Sequence, residues 1–413
     1  MEMSSSNPLV ISFFVVFFSL FILTLFIGKK SGLKKLTKIL FTKKNINRDL
    51  INLVVNGIKI QPPDKELLFE KMSANEKDFT PYYKKYILPL AEKFEENRIN
   101  VLKLVRKRLI KTLPVLVVFA ILLAVFLLVN LVELDAFYYL FFVMFFGITI
   151  YFLYFLCLLW ACFPIAEYGS DIKKIVFSKV FQFFGNEYQY SEESSMTAKS
   201  LKRSAIIPAS NDSYFEDYIK GSYKGINLEL SEAYLIAGSG KERHVAFAGL
   251  FILLSMNKRF SGRTIVKENI GKLLNKFEKL LLKAAGNKEL KKVNLEDPLF
   301  QKKYVVYSSD QIEARYLLTT SFMQRLIDLE KLCSVKKSSL WQKIKSSKRY
   351  NEIVQCSFYD DQLLLMISSD KNRFETDFFQ PATFVEDINN ILKEMALIFQ
   401  IIDALKLGQK TGL

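Results

Sequence analysis

Glu296, Asp297, Asp310, Glu313 and Arg315 form the densest mixed-charge constellation outside the connecting segments of this chain. Paired carboxylates beside an arginine can exchange protons as general acid and base, or hold a hard cation through oxygen ligands. The same residues have ordinary structural uses, and these are preferred. Asp297 sits in a turn before Pro298, Asp310 with Glu313 has the spacing of a helix N-cap and its box acid, and Arg315 fits an intrahelical pair.

Other chemistries are curtailed by what the chain lacks. His244 is the sole histidine, so a histidine-based triad or a two-histidine metal site cannot be assembled. Gly238, Ser239, Gly240 and Lys241 suggest a phosphate loop, but Leu235 stands where that loop needs glycine and Glu242 where it needs a hydroxyl. A turn between strands explains them better. Cys333 and Cys356 are isolated, and Cys157 and Cys162 fall in an apolar run, which suits a reducing compartment and offers no structural zinc site. No metal or cofactor is expected.

The elements that must position these residues read as an α+β domain over 201–407, with a mainly antiparallel sheet and packed helices. Tyr214 to Tyr223 and Ile226 to Ala237 flank Lys224 and Gly225 as a hairpin, with further strands at His244 to Met256 and Arg263 to Val266. Leu273 to Ala284 has helical spacing and stops at Gly286. Val293 to Leu295 and Tyr304 to Tyr307 bracket the turn at Glu296, and a helix should follow Asp310. Glu352 to Phe358 and Leu363 to Ser368 form a second hairpin around Asp360 and Asp361. Thr383 with Glu386 opens a last helix carrying Ile388, Leu392, Met395, Phe399 and Ile402.

Three charge-free apolar runs, 9–28, 113–132 and 136–163, are each long enough to cross a hydrocarbon core of ~30 Å as a helix. The sequence thus divides into an N-terminal anchor at 1–28, a basic helical connector at 29–112, a transmembrane hairpin at 113–163, an amphipathic helix with a polar linker at 164–200, and the domain. From Pro81 to Lys111, apolar residues recur at helical spacing, so a helix runs into the second span, with kinks at Pro89 and Pro114.

Charge sets the expected orientation. No lysine or arginine precedes the first run, whereas between 29 and 112 there are 21 of them against 9 acids. Lysine and arginine stay on the cytoplasmic side, so the N-terminus should lie outside, and the connector and the C-terminal domain in the cytoplasm. Lys29, Lys30, Lys34, Lys35, Lys38, Lys43 and Lys44 either simply set this topology or also lie on anionic lipid, each contributing about 1 kcal/mol near such a surface. Lys336, Lys337, Lys343, Lys345, Lys348 and Arg349 form a second basic loop around Trp341. Without stacking aromatics on a strand platform it reads as a solvated or membrane-facing loop, and a nucleic-acid partner is disfavoured.

The segments DYIKGSYKGINLELSEAYL at 217–235, FAGLFILLSMNKRFSGRTIV at 247–266 and VNLEDPLFQKKYVVYSSDQIEARYLLTTSFMQRL at 293–326 resemble the bacterial membrane-anchored family called domain of unknown function 3137, over roughly 78–407. The resemblance implies architecture and a bacterial inner-membrane location rather than an activity. It also implies that Asp217, Gly221, Gly225, Glu296, Asp297, Asp310 and Arg315 belong to the shared pattern.

The expected function is a non-catalytic, membrane-tethered cytoplasmic interaction domain that recruits a protein partner beside an anionic leaflet, with homo-oligomers allowed. Two rivals are an enzyme of unfamiliar type built on the carboxylates and Arg315, and a sensor of lipid or envelope state built on the basic segments. Convergence of the carboxylates in a cleft would favour the first rival, and salt-sensitive liposome binding the second.

Overall fold

A computed structural model describes residues 46–58, 78–129, 136–269, 290–333, 354–369, 374 and 378–405. The first apolar run, the lysines from Lys29 to Lys44, the helix expected at Leu273 to Ala284 and the basic loop around Trp341 lie outside the described residues.

The helices begin with α1 (Ile46–Asn56), α2 (Phe79–Tyr82), a π-helical turn at Tyr83–Ile87, α3 (Leu88–Val129) and α4 (Ala136–Ile172). A second π-helical turn, Lys173–Phe177, leads to α5 (Ser178–Phe181), then β1 (Gln189–Glu193), a 3-10 turn at Ser200–Ser204, β2 (Asp212–Tyr223), β3 (Ile226–Ala237), β4 (His244–Ser255) and β5 (Thr264–Glu268). After these come β6 (Lys291–Val293), α6 (Pro298–Lys303), β7 (Tyr304–Ser308), α7 (Gln311–Leu317), α8 (Thr320–Cys333), β8 (Val354–Tyr359), β9 (Gln362–Ser368) and α9 (Val385–Leu405).

The described residues fall into two compact units. One comprises 89–172 with 46–58 and 378–383; the other comprises 78–88, the described residues between 173 and 374, and 384–405. The helical unit holds α3 and α4 side by side, with the Tyr168 hydroxyl donating to the Phe94 carbonyl at 3.2 Å and their rings meeting edge to face. Pro164 lies inside α4 and lacks the N–H that would bond the Trp160 carbonyl four residues earlier. Arg108 supplies the missing donor at 2.8 Å and lays its guanidinium over the Trp160 ring. Arg106 likewise donates to the Val54 carbonyl near the end of α1. Arg98, only 1% exposed, grips Glu95 at 2.6 and 2.8 Å, and Glu95 accepts from the Ala382 N–H.

Among the described residues one stretch, Gly147–Phe181, is long and apolar enough to cross a membrane, and only 28% of its most apolar window is buried. The second expected span is helical as far as Val129. One candidate span is therefore found among the described residues, and α3 is helical over most of the second apolar run.

In the other unit nine strands form one sheet in the order β1-β2-β3-β4-β9-β8-β5-β7-β6, with every pairing antiparallel. This is the α+β class expected. Both hairpins form as read, because Lys224 and Gly225 adopt φ of 51° and 81°, the left-handed pair a two-residue hairpin turn requires, and Asp360 adopts φ of 54° between β8 and β9. One face carries Leu235, Phe251, Ile265, Val305, Tyr307, Leu364 and Met366 in a continuous core. The apolar stripe of α9 is buried as expected, from Ile388 to Leu405.

Two expectations are corrected. Asn186 to Ser200 is not a plain linker: Gln189–Glu193 pairs with β2 as an edge strand, hidden in the sequence because Tyr190 is its one large apolar residue. A six-residue helix, α6, also fills what reads as a turn between Val293 and Tyr304, started by the cap at Asp297 and the proline after it.

Candidate functional site

Asp297 and Asp310 both act as helix caps. The Asp297 carboxylate accepts from Leu299 N–H at 2.9 Å and Phe300 N–H at 3.0 Å, and Asp310 accepts from Ile312 N–H at 3.0 Å and Glu313 N–H at 2.9 Å. Glu313 departs from the capping-box expectation. The Asp310 N–H it would bond donates instead to the Ser308 hydroxyl at 3.0 Å, and the Glu313 carboxylate reaches across to the β4–β5 loop. There it accepts from Ser261 N–H at 3.0 Å and Gly262 N–H at 2.8 Å.

Asp310 joins this clamp, accepting from the Ser261 hydroxyl at 3.1 Å. The backbone hydrogen bond from Glu313, with those from Ser261 and Ile312, holds its carboxyl below the usual range. The approach is so close that a side chain at Gly262 would press on Asp310 and Ser309. Glu296 and Arg315 are exposed and stand apart from this clamp, with Arg315 making only a 3.4 Å contact to the Gln311 carbonyl. Structure thus joins Asp310 with Glu313, while Asp297 serves a different helix.

The residue the clamp presents is Arg263. Its N–H donates to the Ser309 hydroxyl at 2.9 Å and its carbonyl accepts from Ser309 N–H at 3.1 Å. The rest of the loop is tied to the β8–β9 turn, where Phe260 N–H meets the Asp360 carbonyl at 2.5 Å and Met256 N–H meets that of Asp361 at 2.7 Å. The register continuing from Thr264 opposite Phe358 sets Arg263 across from Tyr359. Burial pushes the Tyr359 phenol up to about 12 and the Arg263 guanidinium below its usual value.

Arg203 comes to the same place from the 3-10 turn. It pairs with Asp360 at 2.7 Å, and its turn is pinned to β8 by the Ser357 hydroxyl donating to the Ser204 carbonyl at 2.7 Å. Sequence reading passed over both arginines because they lie in segments separated by sixty residues and join only through the sheet.

Asp217, which the family resemblance names, is a buried polar group whose lysine partner no local spacing indicates. Asp217 sits at a bulge in β2 with φ of 52°, fully buried, and Lys173 from the π-helical turn reaches both its oxygens at 3.1 and 3.2 Å. The Tyr190 hydroxyl donates to the same carboxylate at 2.5 Å. Two backbone irregularities, a π turn and a left-handed non-glycine residue, therefore meet at one ion pair. Lys267 on β5 is 6% exposed and faces the core beside Ile265; burial lowers its ammonium from the usual 10.5 to about 7. His244 lies exposed at the start of β4, 2.9 Å from the Glu242 carbonyl, and the glycine-lysine segment is the β3–β4 turn.

These features define a mixed α+β sheet protein with a clamped basic loop. Residues 245–407 match the family model described as "Protein of unknown function (DUF3137)", which supports the resemblance over β4 to α9, a shorter range than the 78–407 expected. No curated protein matches the chain. Among solved structures, the mycobacterial trehalose monomycolate transport factor A, TtfA, is similar at 14% identity with a TM-score of 0.27, covering 55% of this chain and 95% of that one.

Proposed function

We propose that this chain is a membrane-tethered protein whose α+β domain recruits a protein partner in the bacterial cytoplasm and performs no chemistry of its own. The observation carrying this reading is that the carboxylates best placed for chemistry are committed elsewhere, Asp310 to the N–H groups that open α7 and to the Ser261 hydroxyl, and Glu313 to the Ser261 and Gly262 N–H groups, and that they fasten the loop that carries Arg263. A rigidly supported surface residue is what a binding site needs. The enzyme alternative needs Asp297, Asp310, Glu313 and Arg315 around a common cleft; the distinct roles of Asp297 and Arg315 count against it.

Membrane tethering is supported by the exposed apolar side chains of α3 and α4, among them Val118, Ile121, Val125, Met144, Ile148 and Tyr151. Three spans, an outside N-terminus and an anionic inner leaflet at Lys29 to Lys44 complete the proposal, resting on the charge bias. Cysteine scanning in a background without native cysteines tests it: a membrane-impermeant thiol reagent should label a cysteine at Ser5 and spare one at Ser194 in intact cells. The reverse pattern overturns the orientation. Affinity capture of the tagged full-length protein from native membranes tests recruitment, and a folded Asp310→Asn variant that keeps its partner but loses all cellular function would favour the enzyme.

A further inference from the structure

We propose that Arg203, Arg263 and Tyr359 form a carboxylate-binding site that receives an acidic side chain of the partner protein. The inference rests on the recruitment reading above and names the chemistry recruited.

Two segments are tied down around this point, the second of them at both its ends. The turn carrying Arg203 is fastened by Ser357, the loop carrying Arg263 by Glu313, Asp310 and Ser309, and the loop's earlier part by the carbonyls of Asp360 and Asp361. So much fixation holds two guanidinium groups beside one carboxylate, Asp360. Arg203 uses that carboxylate at 2.7 Å while its own side chain stays 71% exposed. Arg263 keeps a buried Nε that meets no hydrogen-bond acceptor among the described residues. A buried donor in that condition costs stability, and no hydrogen bond among the described residues holds the rest of this half-buried guanidinium, so its Nη groups are what an acceptor from outside the chain would meet.

Charge selects the acceptor. Two guanidinium groups meet one carboxylate, Asp360, while Asp361 beside Tyr359 adds a second negative charge, so a singly charged anion is favoured over a more highly charged one. A phosphate dianion would leave an excess negative charge facing Asp360. The planar fork of an arginine also matches a carboxylate in two parallel hydrogen bonds, and Tyr359, whose phenol stays protonated, can add a third donor. The carboxylate could come from a protein side chain or from a free small acid, and the probes separate these.

The experiment uses the full-length protein in detergent and a fluorescent, end-blocked hexaglutamate peptide followed by anisotropy. Arg263→Lys keeps the charge but loses the fork, and together with Arg203→Gln it should weaken binding about tenfold or more, while Lys258→Gln and Arg259→Gln, in exposed positions of the same loop, should change it less than about twofold. A hexaglutamine peptide should not bind, and acetate should compete only weakly. Thermal melting of each variant guards against misfolding; should Arg263→Lys fail to fold, the exposed Arg203→Gln decides alone.

Equal loss in all four variants would mean diffuse attraction and would overturn the site. Inorganic phosphate displacing the peptide better than acetate would overturn the carboxylate assignment, as would acetate binding as tightly as the peptide. If the peptide fails yet the native partner is still captured by the wild type and lost with Arg203→Gln, the carboxylate proposal falls while recruitment stands. Capture unaffected by either arginine variant, with no peptide binding, removes this site from recruitment altogether.

Discussion

In the helical unit two arginines of α3 reach carbonyls; in the sheet unit three carboxylates reach amides. Arg106 and Arg108 serve carbonyls at Val54 and Trp160, one near a helix end and the other left without its N–H by Pro164. Asp297, Asp310 and Glu313 serve the opposite orphans, the N–H groups at helix starts and in a tight loop. The sign of each charge follows from which backbone group is exposed there, because helix N-termini present donors and C-termini acceptors. Apolar side chains are also disposed oppositely. Val118, Ile121, Val125 and Leu128 of α3 are 52–70% exposed, whereas Leu363, Leu364 and Leu365 of β9 are fully buried. Lipid as a solvent would favour the first pattern and water the second.

The largest expected effect tests whether a charge can also be structural in the sheet unit away from backbone groups. Asp217→Asn or Lys173→Met leaves one buried charge without its partner and should cost about 3–5 kcal/mol. Tyr190→Phe, which removes one donor and leaves the pair, should cost about 1 kcal/mol. Chemical denaturation of the full-length protein in detergent, read by tyrosine and tryptophan fluorescence and by circular dichroism, measures both. Near-equal small losses would show that the ion pair contributes little beyond filling space.

Lys267 tests the converse case, a buried charge that weakens the fold. Its folded-state value near 7 lies below the ordinary 10.5, so between these values the unfolded chain binds a proton that the folded chain does not. Stability should therefore rise as pH increases from about 7, by up to about 1.4 kcal/mol per pH unit, and level off near the unfolded value. Lys267→Met should remove that slope. A slope that survives the substitution would assign the pH dependence to another group.

Which of these features could be read in advance depends on how far apart the cooperating residues lie in the chain. The hairpins at Lys224-Gly225 and Asp360-Asp361 were legible because turn and flanking strands are contiguous, and so were the caps at Asp297 and Asp310. Glu313 was read for a local partner three residues back, but its true partners are about fifty residues away, and local spacing says nothing about them. The same distance hid Lys173 from Asp217 and Arg203 from Arg263. Strand β1 escaped for another reason: as a five-residue edge strand it packs a single aromatic, Tyr190, and one residue makes no alternation.

The loop clamp offers a sharper test of amide-seeking carboxylates. Glu313→Gln keeps the length of the side chain but replaces one acceptor oxygen with a donor that confronts a backbone N–H. Half-exposed bonds of this kind should be worth about 1–2 kcal/mol in denaturation. Amide hydrogen exchange at Ser261 and Gly262 should quicken, while exchange across β8 and β9 stays unchanged at low denaturant. Uniformly faster exchange would mean that Glu313 supports the whole sheet, and unchanged exchange would mean that the clamp is not formed in solution.

The smallest effect belongs to the helical unit and asks whether carbonyl-seeking cations matter there. Arg108→Gln can still donate to the Trp160 carbonyl but gives up the charge over the ring, whereas Arg108→Leu gives up both. A cation over an exposed aromatic face is worth about 0.5–1 kcal/mol, and the hydrogen bond a similar amount. Trp160 fluorescence, one of two tryptophan signals in the chain, should therefore shift modestly in Arg108→Gln and further in Arg108→Leu, with detergent-solubilised melting falling in the same order. Pro164→Ala should narrow the gap between these variants, because alanine restores the N–H that bonds the Trp160 carbonyl within the helix. If the gap persists at full size, the Pro164 orphan is not what Arg108 satisfies, and the correspondence between charge sign and exposed backbone group loses its helical half.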